Sequence, residues 1–551
     1  MAVTTDSDAR SELSRSRAHA IAAVALGGAG VALPASQQGG YFATAWGWIA
    51  LGLFLAAALA LAFRRRIDVH PLQWAFLAGV WSVLAWGALS ATWSVSFPRS
   101  IAEAERTVIY AAAALAVVAV VSARTLAPFL AGLVAAVVGI SVAALVEGQR
   151  DLPGGGLAGS LGYSNALGLL TVIGLLLALG FVARAGPKTL RAAAVAALPL
   201  LGVTLFLTRS RGALLAGTIA LVFLIATYSL ARWHVSRRLA LSVCVVALVA
   251  AAVTFSLVSP ATLLGKTYGA FRSPPAPEGR SNDTLLSFSG NNRADYWRVV
   301  LREYTENPWL GAGAGTFELY WERDRETIYG TRDAHNLYLE TLAELGPFGL
   351  TLLIVTLGIP FVDLRQRNSD PLVAAALAAY LAFLVHAAVD WDWEMPAATL
   401  AGIFSGSAVL VAVRGDRRPL SVPARWVGLV AILVIGTGTA AAYRGNLAVE
   451  ATTKALSRPD YAAAEESART VTRWMPWGAD GWRLLGEAQL AAGKRMAARD
   501  SFMTAIDKDP KDWELWYDLA LASPAAERRS ALEEASRLNP YSLQVRELLG
   551  S

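Results

Sequence analysis

The chain has 551 residues, of which 55% are apolar and only 16% charged, with a mean hydropathy of +0.45; soluble domains carry about 25% charged residues. That balance excludes a purely soluble globular protein. The net charge of +6 is spread over short loops, a pattern of membrane orientation that sets nucleic acid aside as a partner.

Apolar runs recur from the N-terminus onward, each long enough to cross a hydrocarbon core of about 30 Å. They predict an all-α, polytopic membrane helix bundle of about 12–13 transmembrane helices. The expected spans lie near 18–34, 42–63, 71–93, 107–123, 126–147, 165–183, 192–208, 212–231, 239–258, 346–364, 371–389, 396–413 and 426–443. The first is short, follows basic residues and ends in Ala-Leu-Pro-Ala-Ser, which resembles a signal-peptide cleavage site. Because the run continues into a polar loop of ordinary length, it is read as a retained span. The only cysteine, Cys244, lies inside an apolar run; it can form no internal disulfide and is read as a small buried hydrophobe.

Alternate loops hold the arginines, for example Arg64, Arg65 and Arg66, or Arg414, Arg417, Arg418 and Arg425. By the positive-inside rule these loops and residues 1–17 are cytoplasmic. A membrane domain then covers 18–443, with a helical extracytoplasmic loop at 259–345 and an extracytoplasmic tail at 444–551.

Chemistry-bearing residues collect on the outer side. Arg209 and Arg211, in Thr-Arg-Ser-Arg-Gly-Ala, run against the charge bias at the outer end of a span. Guanidinium forks bind phosphate oxygens in pairs, although outer arginines also snorkel to headgroups. Arg293 opens Arg-Ala-Asp-Tyr-Trp-Arg, an amphipathic helix running to about Asn307. It is a third phosphate ligand or part of a solvated helix face. Pro308 ends that helix, and Gly311, Gly313 and Gly315 predict a flexible turn.

Of the five histidines, His335 alone falls in an outer loop, in Asp-Ala-His-Asn-Leu-Tyr-Leu-Glu. An imidazole with an ordinary pKa near 6.5 accepts a hydroxyl proton near neutrality. An isolated histidine at a membrane surface also serves structurally. His386 lies in the outer half of a span, followed by Asp390, Asp392 and Glu394. These acids either hold a divalent metal or are hydrated groups at a helix end.

In the tail, Trp482 and Trp516, Leu485 and Leu519, and Pro476 and Pro510 recur at the 34-residue period of tetratricopeptide repeats. Ala498, Phe502 and Ala505 fit the second helix of such a unit, and Pro540 closes a shortened copy. The expected solenoid either caps the outer loop or recognises a protein partner.

Over residues 70–415 the chain resembles the O-antigen ligase and O-antigen polymerase superfamily, which includes bacterial protein O-oligosaccharyltransferases. The resemblance rests on Ser-Ala-Thr-Trp-Ser-Val-Ser at 90–96 and Gly-Tyr-Ser-Asn-Ala at 162–166. It rests further on Arg211 followed by Leu215, the Asn307-Pro308-Trp309-Leu310-Gly311 segment, and His335-Asn336 followed after nine residues by Gly346 and then Gly349. The family core has fewer spans, and its simplest ligases lack the repeat tail.

The resemblance implies transfer of a glycan from an undecaprenyl-diphosphate-linked donor at the outer face of a bacterial-type cytoplasmic (inner) membrane. The acceptor is a hydroxyl of a glycan, a lipid or a protein; polymerisation and ligation stay open, with a lean towards polymerisation. His335 is then the base, Arg209, Arg211 and Arg293 bind the diphosphate, and Asn336 and Asn165 support them, with no cofactor and no metal. The transfer is expected to invert the anomeric carbon. A lipid-linked glycan flippase and a scaffold acting through the tail are the competing classes.

Overall fold

In lipid, uncharged runs of Ala, Leu, Val and Gly satisfy their backbone N–H and C=O groups by coiling into helices, and the protein is built almost wholly of them. The computed structural model describes residues 6–148, 156–231, 292–362 and 370–550. The predicted span at 239–258, with Cys244, and the first part of the 259–345 loop lie outside the described residues.

Eight helices begin the chain: α1 (Asp6–Ala35), α2 (Ala43–Phe63), α3 (Pro71–Ser90), α4 (Phe97–Val120), α5 (Leu126–Glu147), α6 (Ser164–Ala183), α7 (Lys188–Thr208) and α8 (Arg211–Ala231). Two short helices, α9 (Arg293–Glu306) and α10 (Phe317–Asp324), lie in the segment predicted to form the extracytoplasmic loop. The chain then returns through α11 (Leu337–Gly358), α12 (Pro371–His386), α13 (Pro396–Val411) and α14 (Val422–Ser457). Six more helices finish it: α15 (Tyr461–Trp474), α16 (Asp480–Ala491), α17 (Arg495–Lys508), α18 (Trp513–Ala522), α19 (Ala525–Leu538) and α20 (Leu543–Gly550).

Eight of the described helices are long and apolar enough to cross a membrane, and α8, α12 and α13 are shorter apolar helices. The protein is a multi-pass, all-α membrane protein. All 16 residues of α13 are buried. At 1.5 Å per residue it is about 24 Å long, shorter than the roughly 30 Å hydrocarbon core. A helix enclosed by other helices need not match the lipid thickness, and α13 is the core that α1, α4, α6 and α12 surround.

Packing between spans uses small residues, because lipid offers no hydrophobic drive for helices to associate. Where α1 crosses α5, a Cβ on Gly132 would lie 2.2 Å from the Val24 carbonyl oxygen. At the end of the bundle carrying the α2–α3 and α13–α14 loops, arginines cap helix C-termini. Arg64 donates to the Val120 carbonyl at 2.9 Å and Arg417 to the Val413 carbonyl at 3.0 Å. A two-residue ladder, β1 (Asp68–Val69) with β2 (Arg418–Pro419), joins the same two loops.

The helix α14 is continuous over 36 residues, about 54 Å at 1.5 Å per residue. It passes without interruption from the predicted span into the tail. There α15 to α20 pack in sequence, each on the next. Gly486 leaves room for the Phe502 ring, which a Cβ would approach to 2.6 Å.

Candidate active site

Four helices begin at one place, at the opposite end from the capping arginines. Ser210 accepts from the Ala213 N–H at 3.1 Å and so starts α8 with Arg211 as its first residue. Asn336 accepts from the Tyr338 and Leu339 N–H groups at 3.1 and 3.0 Å and starts α11. Arg293 starts α9, and Asn165 is the second residue of α6. Between them runs the turn from α12 to α13, tied to α11 by the Leu337 N–H donating to the Ala387 carbonyl at 2.9 Å.

Asp390 is the hub of this turn. It is fully buried, and both of its oxygens are occupied. Oδ1 accepts from the Tyr163 hydroxyl at 2.7 Å and the Trp391 N–H at 2.8 Å. Oδ2 accepts from Asn165 Nδ2 at 2.6 Å and from Arg293 Nη2 at 3.1 Å. Burial opposes its ionisation, but the charges of Arg293 and nearby histidines and the Tyr163 hydrogen bond outweigh that effect. The carboxyl is thus held below its ordinary value. Arg293 is fixed at a second point, its Nε donating to the Val389 carbonyl at 2.5 Å.

His335 has a left-handed backbone, φ +56°, a conformation in which histidine is enriched among non-glycine residues. Its ring lies 5.0 Å from Tyr296 and 6.4 Å from Trp391, centroid to centroid. Nδ1 is 3.1 Å from the Asp333 carbonyl, which can only accept. The proton therefore sits on Nδ1 and the lone pair on Nε2. Burial pushes the His335 pKa down, Asp390 pulls it up and Arg293 pushes it down, and the balance lies below the ordinary value. The ring is neutral at pH 7.

Arg293 acts electrostatically on both His335 and Arg211, so the three form one neighbourhood. Asn165 joins it through Asp390. Asn336 reaches it through the backbone, since its side-chain oxygen caps α11. Arg209 is exposed and turns the chain between α7 and α8 with φ +53°; its side chain is not drawn into the group.

Asp390, Asp392 and His386 were named from the sequence, but what each of them contacts was not. Asp390 is neither a hydrated acid nor half of an open carboxylate pair, but the counter-ion of Arg293. Asp392 is equally buried and lies 3.0 Å from His386 Nδ1. The Nε2 of His386 has no hydrogen-bond partner among the described residues, and a Cβ on Gly212 would lie 3.0 Å from it. Tyr163, Tyr296 and Trp391 complete the walls. The one signal for these contacts was the acidic run after α12, with no basic residue beside it to balance the charge.

Beside His335, oxygens of Asp333, Glu340 and Glu394 lie within 4.8 Å of one another and are the described residues that could hold a divalent ion. Glu394 is paired with Arg106, and Glu340 accepts from the Ala334 N–H at 2.7 Å. Burial pushes the Asp333 carboxyl up to about 7 and that of Glu394 well above its ordinary value. Burial thus outweighs the nearby Arg106 charge and draws protons onto these acids near neutral pH.

No curated protein matches the chain. Residues 195–354, which contain Arg211, Arg293 and His335, match the family model described as O-antigen ligase. Over that segment the chain is similar to the O-antigen ligase and polymerase superfamily.

Proposed function

We propose that the protein transfers a glycan from an undecaprenyl-diphosphate-linked donor to an acceptor hydroxyl on the extracytoplasmic side of a bacterial cytoplasmic membrane. The observation that carries this reading is Arg293, held by Asp390 and acting on both the His335 imidazole and the Arg211 guanidinium near the starts of α6, α8, α9 and α11. Helix N-termini present unpaired N–H groups and partial positive charge, and so favour a phosphorylated group. The end of the bundle away from the arginine-rich loops is the outer one by the positive-inside rule.

In this reaction the acceptor hydroxyl gives its proton to His335 Nε2, and its oxygen bonds to the anomeric carbon from the face opposite the diphosphate. The carbon–oxygen bond to the diphosphate breaks, its electron pair goes to the leaving oxygen, and the configuration inverts. Arg211 and Arg293 stabilise the charge that grows there. Asp390 keeps Arg293 aimed, and the ring walls of Tyr296 and Trp391 keep water from His335. Transfer proceeds without a metal and is expected to survive chelation. Tail helices that pack on the outer loop favour an extended glycan acceptor, hence polymerisation.

The test uses purified protein, a synthetic polyprenyl-diphosphate glycan and candidate acceptors. Wild type forms a glycoside bond inverted at the donor's anomeric carbon. His335→Ala lowers turnover by about 10²–10⁴-fold while donor binding persists, and Arg211→Lys weakens donor binding because it loses the fork geometry. Near-normal transfer by His335→Ala overturns the base assignment. Movement of labelled donor across liposomes with no glycoside formed overturns the reading as an enzyme.

A further inference from the structure

At the end of the bundle away from His335, the ends of α1, α5, α6 and α7 enclose a cleft of about 630 Å³. That volume lies within the roughly 300–1,000 Å³ of small-molecule sites. Val24 of α1, Ala131 of α5, Phe181 of α6 and Leu190 of α7 form its apolar walls, and among the described residues its charged lining is Arg184 and Arg191. Arg184 is steadied by Asp370, Nε to Oδ2 3.3 Å.

A soluble metabolite needs several directed polar partners inside its pocket, and these walls supply none. They suit hydrocarbon, with an anion at the mouth. Basic pockets between transmembrane helices bind anionic lipid headgroups in this way. A zwitterionic headgroup would place its own cation against the two guanidiniums. The glycan donor also joins an apolar chain to phosphate, but it reacts elsewhere. From Asn165 to Arg184 is 19 residues of α6 and its end, about 29 Å at 1.5 Å per residue, too far for a headgroup here to meet His335.

We propose that this cleft is a binding site for an anionic glycerophospholipid, its acyl chain held between α1, α5 and α6 and its phosphate at Arg184 and Arg191. The lipid joins the first helix of the chain to the pair that starts and ends near the reactive site, so its occupancy stabilises the bundle.

Native mass spectrometry of the full-length protein, delipidated and then titrated with phosphatidylglycerol or phosphatidylcholine, tests this. Phosphatidylglycerol is expected to bind at least fivefold more tightly. Arg191→Ala, a change at an exposed position, lowers that affinity about fivefold, the effect of one basic residue near an anionic lipid. Ala131→Trp fills the cleft and abolishes retention, while glycan transfer persists. Equal retention of the two phospholipids, an unchanged affinity in Arg191→Ala, or preferential retention of undecaprenyl phosphate each overturns the proposal.

Discussion

The side chain of His335 is set by its neighbours on every side: the Asp333 carbonyl on Nδ1, Tyr296 and Trp391 beside the ring, and the opposed charges of Asp390 and Arg293. Because burial lowers its pKa, the imidazole stays neutral until the medium is more acidic than for a free histidine. Transfer should therefore be flat through neutrality and fall only below the ordinary imidazole value near 6.5, as the ring takes up a proton. A kcat/KM–pH profile measures this, and an acid limb centred above 6.5 would remove His335 as its source. Asp390→Asn should move that limb to lower pH, since the carboxylate is what raises the His335 pKa. It should also lower transfer tenfold or more, because Arg293 loses a fixed counter-ion. A purely structural Asp390 would lower the amount of folded protein and leave the limb in place.

Elements were easier to read than contacts. Long uncharged runs identify spans by length alone, so the helices at α1 to α8 and α11 to α14 follow the predicted order, apart from the span outside the described residues. The His335, Asn336 and Gly346 spacing was also legible, because it reports local geometry: an N-cap and, at Gly346, a φ of +69° that kinks α11. The partner of Arg293 was not legible, since Asp390 lies 97 residues away and only the packing of α9 against the α12–α13 turn unites them. The glycines at 311, 313 and 315 suggested looseness, yet the segment is pinned. Ala312 and Gly313 donate to the Ala343 and Glu344 carbonyls at 3.0 and 2.9 Å, and the Ala312 carbonyl accepts from the Val95 N–H at 2.9 Å. At Gly313, φ is +110° and a Cβ would fall 2.1 Å from Ser94 Oγ. Gly313→Ala should thus destabilise the outer loop by about 1–3 kcal/mol from backbone strain alone, read as a lower melting temperature in detergent. An unchanged melt would show that the segment bends freely.

Across the whole molecule, one guanidinium links the membrane bundle, the loop helix α10 and the tail. Arg99, at the start of α4, pairs with Glu318 of α10 and lies 3.9 Å from Asp509 and 3.8 Å from Asp512, in the turn between α17 and α18. Ser96 donates to the same Asp509 at 2.8 Å, and Arg325 donates to Asn539 at 2.9 Å in a second bridge. Burial pushes the Asp509 carboxyl up to about 6, with Arg99 pulling it back. A raised carboxyl pKa means that the docked state prefers the protonated acid: docking is strongest at low pH and weakens as pH rises through about 6. That value already includes the offset that Arg99 supplies. Arg99→Ala removes the offset and leaves three acids facing one another, so the tail should remain docked at pH 5 and open at pH 8. Hydrogen exchange across residues 509–522 reads this directly, with protection expected to drop in the variant only at the higher pH. Equal protection at both pH values would mean that apolar packing along α14 and α15, not this charge, holds the tail over the outer loop.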